Sequence, residues 1–237
     1  MSIFDRQIWM FREMRSGSDW IWKVFEKLSK RKCLHFQREP QFNTSDKDNI
    51  SYFFHMQQDP NTVLTKNMNS LSDVTKFYST HFFHILPSIE CLDNPYLIRT
   101  TRRNKAEHCM SLLYFNIHMH KFHHVFADNS IGYDYFLETL NNPIIVLKQQ
   151  VEKVMLSLKK NDDYWNQFSK NYDNCVIVYE DLFEGIDLPQ FNMSLKFSEH
   201  NEFVLKTPDY KKKFFANYEQ IIEWCKYYEK ELGLDVF

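Results

Sequence analysis

The sequence predicts an α/β fold: a central, mostly parallel sheet flanked by helices. Three observations predict it. Short apolar runs alternate with longer amphipathic ones along the chain, the pattern of strands joined by helical crossovers. NCVIVYEDLF (174–183) carries an apolar, β-branched run, Val176–Val178, typical of a buried parallel strand. The longer runs carry apolar residues at helical spacing, as Ile21, Val24, Phe25 and Leu28 do. A chain of 237 residues has the length of one such domain, here 1–237.

Each element follows in order. QIWMFREM (7–14) reads as the first strand and DWIWKVFEKLSKRK (19–32) as the helix after it. Residues 39–75 are rich in Asn, Asp and Ser with two prolines, and read as loops and a short helix within the domain. TKFYSTHFFHI (75–85) and PYLIRTT (95–101) are further strands, the second feeding a helix from about 104 to 124. Gly132 and Pro143 bracket a short helix, and IIVLKQQVEKVMLSLKK (144–160) forms a long amphipathic one. The run 214–233 is a helix closed by Gly233.

Composition narrows the function classes. With 43% hydrophobic and 17% aromatic residues the chain has material for a core, and 25% charged residues with 4 glycines argue against disorder. A net charge of −2 excludes a globally basic surface for nucleic acid or an anionic membrane, so any anion site is local. The five cysteines are widely spaced without a C-x-x-C pair, which fits neither a disulfide framework nor a zinc knuckle; they read as reduced thiols of a cytoplasmic protein. Asp5, Arg6, Arg12, Glu13 and Arg15 interrupt any signal-peptide core, and no run is apolar enough to span a membrane.

RSGSDW (15–20) carries the first chemical signal. A Gly- and Ser-rich turn between a parallel strand and a helix directs backbone N–H groups at one point, reinforced by the helix dipole. Gly17 lets an anion approach the backbone, Ser16 and Ser18 add hydroxyl donors, and Arg15 adds a planar guanidinium suited to an oxyanion. The competing reading is a capped helix start, with Ser18 or Asp19 as the cap. The pattern G-x-x-x-x-G-K-[ST] of nucleoside-triphosphate loops is absent, which disfavours a small kinase. Farther on, in YLIRTTRRNKAEHCMS (96–111), Arg103 precedes Ser111 by eight positions across a strand-to-helix junction.

Taken in this order, these segments resemble the sulfotransferases that use 3'-phosphoadenosine 5'-phosphosulfate (PAPS). Arg15, Ser16, Gly17, Ser18 and Trp20 match the family's first loop, K/R-S-G-T/S-T-W, and Arg103 with Ser111 matches its R-x7-S segment. VIVYEDL (176–182) is similar to a family strand ending in Y-E-D-L, and THFFHILP (80–87) to its K-T-H-L-P segment, with His81 lying 22 positions before Arg103.

The resemblance implies a P-loop-like fold and metal-free transfer of a sulfuryl group from PAPS to a hydroxyl or amine. It implies that the 15–18 turn cradles the 5'-phosphosulfate, that Trp20 and Tyr179 contact the adenine, and that Arg103 and Ser111 hold the 3'-phosphate. His81 is the candidate general base, with His84 and Glu39 as the other two. Asp19 stands where the family has a threonine, and must turn away, cap the helix or pair with Arg15 or Lys23; Ser79 stands where it has a lysine. The family's late R-K-G loop is replaced by the basic run LKTPDYKKKF (205–214), where Lys206 or Lys211 would serve, or which simply opens a solvated helix.

The histidines of NIHMHKFHHVF (116–126) lack the acidic partner or the H-E-x-x-H frame of a metal site. The alternative functions are a catalytically degraded homologue that binds PAPS or its product 3'-phosphoadenosine 5'-phosphate (PAP), and a small kinase. The acceptor is a small molecule, a glycan or a lipid, and an exposed aromatic helix face would suit a homodimer.

Overall fold

The computed structural model describes residues 3, 6–29, 33–36, 77–81, 83, 86, 89, 94–118, 138, 140–200 and 211–234. These fall into two compact units, Met1–Thr101 with Asp163–His200, and Arg102–Asp162 with Asn201–Phe237. The first unit is built on a five-stranded sheet of order β2-β3-β1-β4-β5. Its strands are β1 Ile8–Arg12, β2 Cys33–Phe36, β3 Phe77–Thr80, β4 Tyr96–Thr101 and β5 Asn174–Val178. Every pairing among them is parallel. The predicted α/β sheet flanked by helices is therefore present.

Alternation along β1 sorts its side chains onto two faces. Ile8, Met10 and Arg12 share one face with their register partners Phe77 and Ser79 of β3 and Tyr96, Ile98 and Thr100 of β4. Helix α1, Ser18–Ser29, covers this face with Ile21, Val24 and Phe25. The Phe25 ring lies 4.8 Å from that of Phe77 and 4.9 Å from that of Phe191. The opposite face carries Trp9, Phe11, Tyr78 and Leu97, packed with Phe83, Leu86, Ile89 and Trp165. Both faces are apolar because a central parallel strand has no solvent side, which is why IWMF reads as an unbroken hydrophobic run.

Two sequence expectations for this unit need correction. The run 75–85 is not extended throughout: β3 ends at Thr80, and His81 already lies in a bend. The run 174–183 is a strand only to Val178, and Tyr179–Phe183 turn as a 3-10 helix. β5 is also an edge strand, with Asn174 exposed, so its apolar residues reflect burial of its last residues, Ile177 and Val178, and not of both faces along its length. Beyond it, β6 Ile186–Leu188 and β7 Met193–Leu195 form an antiparallel hairpin that the sequence pattern did not reveal.

The second unit contains α2 Lys105–His118, most of α3 Lys148–Phe168, and α4 Tyr218–Leu232. Its core joins Cys109, Met110, Leu113 and Tyr114 of α2 to Val151, Met155 and Leu158 of α3 and to Ile221 and Cys225 of α4. α4 ends as predicted at Gly233, left-handed at φ 56°, whose N–H reaches back to the Lys230 carbonyl while that of Leu234 reaches Glu229. The long helix begins at Lys148, not Ile144, because Ile144 instead bridges to Phe215. Among the described residues no helix is long and apolar enough to cross a membrane.

Candidate functional site

The turn at 13–17 follows directly from the end of β1, next to β3 on one side and β4 on the other. In a parallel sheet this is the place where connections depart in opposite directions and ligands bind outside the carboxyl ends of the strands. Its backbone is unusual. Arg15 and Gly17 both hold positive φ, 65° and 71°. For the arginine this is a strained conformation, sustained only by surrounding contacts.

Those contacts start from Glu13. Its carbonyl accepts the Ser16 N–H at 3.3 Å and the Ser16 hydroxyl at 2.6 Å, while its own N–H donates to the Thr100 carbonyl at 3.1 Å. Ser16 Oγ also meets Thr100 Oγ1 at 2.9 Å. Ser16 is thus a buried brace to β4, and its hydroxyl is already engaged. The Gly17 carbonyl accepts the first bonds of α1, from Trp20 N–H at 3.0 Å and Ile21 N–H at 3.1 Å. The Gly17 carbonyl therefore opens the hydrogen-bond ladder of α1, which puts Gly17, and not Ser18 or Asp19, at the cap position.

Glu13 also anchors a buried ion pair. Its side chain is 1% and that of Arg99 0% exposed. Arg99 Nη2 and Nε donate to Glu13 Oε1, the latter at 3.0 Å, and Thr101 Oγ1 donates to Oε2 at 2.7 Å. The guanidinium lies over the Phe83 ring, 5.6 Å from its centroid. A charge placed in the apolar strand YLIRTT was the available sequence signal for this pair, since a buried arginine needs a carboxylate.

A second pair links strand to helix. Arg12 is fully buried, and its Nη1 donates to Asp19 Oδ1 at 2.9 Å; the Asp19 side chain stays 43% exposed. Asp19 therefore pairs with Arg12, an arrangement that the sequence reading, with Arg15 or Lys23 as partners, had not included. The His81 ring sits against the same residue, Nδ1 lying 2.5 Å from the Arg12 carbonyl oxygen. A carbonyl only accepts, so Nδ1 carries the proton in the neutral ring and Nε2 keeps its lone pair.

Burial and then the Arg12 charge lower the His81 pKa to about 3, against an opposing pull from the Arg12 carbonyl and from Asp19. His81 is partly exposed and neutral at pH 7. The sign of the stability effect follows: the unfolded chain binds this proton near pH 6.5 and the folded chain does not, so stability falls as pH drops from about 6.5 toward 3. Urea midpoints at pH 7 and pH 5 are expected to separate less in His81→Gln than in the wild type.

Arg15 is half-buried, and its Nε is buried without a hydrogen-bond partner among the described residues. Tyr179 closes over the other side of the turn. A Cβ on Gly17 would lie 2.5 Å from Tyr179 Cδ2, so this ring occupies the space that the missing side chain leaves. Phe197 stands between Tyr179 and Trp20, with centroids at 5.4 and 4.5 Å, and Phe183, 57% exposed, completes the cluster 5.0 Å from Phe197. Trp20 is 5% exposed, and its indole N–H donates to the His200 carbonyl at 3.0 Å. The structure thus brings together Arg15, Ser16, Gly17, Ser18, Asp19, Trp20, Tyr179 and His81, with the Trp20 face turned to protein and Gly17 already in contact with an aromatic ring.

Arg103 and Ser111 belong to the second unit. Arg103 is exposed in the bend before α2, and Ser111 is buried on that helix at 5% exposure. Lys211 is ion-paired with Glu107. His84, Glu39 and Lys206 lie outside the described residues, as do His120, His123 and His124. A shallow cleft of about 420 Å³, lined by Lys212, Phe215, Ala216, Asn217 and Tyr218, holds none of the named catalytic or donor-site candidates, although Lys212 belongs to the basic run 205–214. No protein-family model and no curated protein matches the chain.

Proposed function

We propose that the protein transfers a sulfuryl group from PAPS to a hydroxyl or amine acceptor by in-line displacement, on a P-loop-like sulfotransferase fold. The observation that carries this reading is Arg15: a half-buried guanidinium at a left-handed residue of the turn after the central strand, with a buried N–H donor that meets no acceptor among the described residues. Buried donors are almost always satisfied, and an oxyanion at the turn would satisfy this one. Asp19 does not oppose such an anion with a full charge, because Arg12 offsets it. His81 supports the reading through its tautomer, which leaves Nε2 as the acceptor for an attacking hydroxyl proton.

In this mechanism Arg15 and the turn's N–H groups other than that of Ser16, which the Glu13 carbonyl engages, stabilise charge on the bridging oxygen as the S–O bond breaks, and His81 takes the acceptor proton. Tyr179 lies beside Gly17 of the turn, and the resemblance assigns the 3'-phosphate to Arg103 and Ser111.

A specific observation favours the non-catalytic alternative as second reading. An imidazole held near pKa 3 is a weak base at pH 7, as in a degraded site that still binds PAP.

Thermal unfolding tests the first step. PAP at one hundred times its dissociation constant is expected to add about 2.7 kcal/mol of stability, and ATP at the same concentration far less. Equal stabilisation by ATP would remove the PAPS reading. Arg103→Ala is expected to weaken PAP binding about ten-fold or more, measured by calorimetry. Appearance of PAP on incubation with PAPS and acceptor separates the enzyme from the binding module.

A further inference from the structure

The aromatic cluster beside the 15–18 turn has one open member. Trp20 is 5% exposed, its ring lies 4.5 Å from that of Phe197 and 6.2 Å from that of His200, and its indole N–H is held by the His200 carbonyl. The stacking surface that the resemblance gives to Trp20 is therefore covered by protein. Tyr179 turns Cδ2 and Cε2 of its ring toward Gly17. Phe183 differs from both. It closes the 3-10 turn 179–183 and is 57% exposed, yet it is fixed from two sides, by Tyr179 at 5.5 Å and by Phe197 at 5.0 Å. Single exposed rings are common on protein surfaces, so exposure alone carries no signal. The signal is position: a held, open ring stands one ring away from the glycine of the turn where Arg15 keeps a buried N–H donor without an acceptor among the described residues.

Resting on the donor-site reading, we propose that the base of the nucleotide stacks on Phe183, and not on Trp20. The span suits a nucleotide. The Tyr179 ring touches Gly17, and the Phe183 centre lies 5.5 Å beyond that of Tyr179, a separation of the order that a ribose puts between a 5'-phosphate and its base. A base laid on Phe183 also removes from water the one largely exposed ring of the cluster. Tyr179 and Phe197 keep the Phe183 ring in place before the ligand arrives, so little side-chain freedom is lost on binding. Stacking tolerates any base, because every base presents a π-face. Phe183 therefore supplies affinity for the nucleoside end and sets the direction in which it leaves the turn, without itself selecting adenine.

PAP and its guanosine counterpart are the probes, titrated by calorimetry into the wild type, Phe183→Ala, Phe183→Leu and Phe183→Trp. The position is more than half exposed, so all three variants are expected to fold, with urea midpoints near that of the wild type. Phe183→Ala is expected to weaken PAP binding about five-fold or more, and the guanosine compound by the same factor. Phe183→Leu, apolar without a π-face, is expected to bind as weakly as Phe183→Ala. Phe183→Trp is expected to bind as tightly as the wild type or more so, and PAP is expected to quench the fluorescence of the added indole.

Unchanged PAP affinity in Phe183→Ala overturns the stacking and leaves the donor reading standing. Wild-type affinity in Phe183→Leu, or an added indole that PAP leaves unquenched, does the same, since the side chain then serves only as apolar packing. No binding of PAP by the wild type overturns both.

Discussion

Glu13→Ala is expected to destabilise the protein by about 3 to 5 kcal/mol, the cost of leaving a buried guanidinium without its carboxylate. Arg99 is fully buried, and two of its nitrogens donate to Glu13 Oε1, so removal of Glu13 leaves the charge in an apolar layer against Phe83. Urea unfolding measures the loss. The control is Glu13→Leu with Arg99→Met, which removes both charges and replaces them with apolar volume. That double variant is expected to recover most of the loss, because buried pairs are often no more stabilising than well-packed hydrophobic residues. Equal destabilisation in single and double variants would mean that the Glu13 and Arg99 side chains serve other contacts than each other. The double variant also keeps the Glu13 backbone bonds to Ser16 and Thr100, so PAP affinity in it reports whether the turn keeps its shape.

Gly17→Ala is expected to cost about 2 to 5 kcal/mol, from two separable sources. An L-residue at φ 71° carries about 1 to 2 kcal/mol of backbone strain. A Cβ at 2.5 and 2.8 Å from the Tyr179 ring forces that ring aside, and overpacking of this kind costs about 1 to 3 kcal/mol. Phe183 and Phe197 hold the ring on two sides, which limits its escape. Gly17→Ala combined with Tyr179→Ala, compared with Tyr179→Ala alone, is expected to show the backbone part only. A single variant as stable as the wild type would contradict both the dihedral and the close approach.

The two strands most legible in the sequence, β1 and β4, share a physical trait: burial dictates their pattern on both faces. IWMF is unbroken because β1 is central, and YLIRTT is nearly so because β4 is its neighbour. Gly17 stood out from the sequence as a place where the backbone is approached closely, and in the structure the Tyr179 ring makes that approach. CLHF (33–36) went unread as β2 because four residues directly after a helix give too short a period to separate strand from helix end. IDL and MSL are shorter still, and their hairpin turns on Asn192, a left-handed residue without the Asn-Gly signature. A buried arginine in YLIRTT signals that a carboxylate is needed, but which partners form the pairs Arg12–Asp19 and Glu13–Arg99 was not legible for another reason. Partner choice depends on which strand lies beside β1 and which face each side chain takes, and neither is local in sequence.

The position of β1 also governs how the chain acquires its shape. β1, the middle strand of the described sheet, precedes both of its hydrogen-bonded neighbours in the chain, and these start only at Phe77 and Tyr96. Until those arrive, IWMF is a sticky ribbon with two open edges, a hazard for self-association. Assembly of the sheet therefore waits on distant partners, and the expected signature is slow, non-local folding in refolding kinetics.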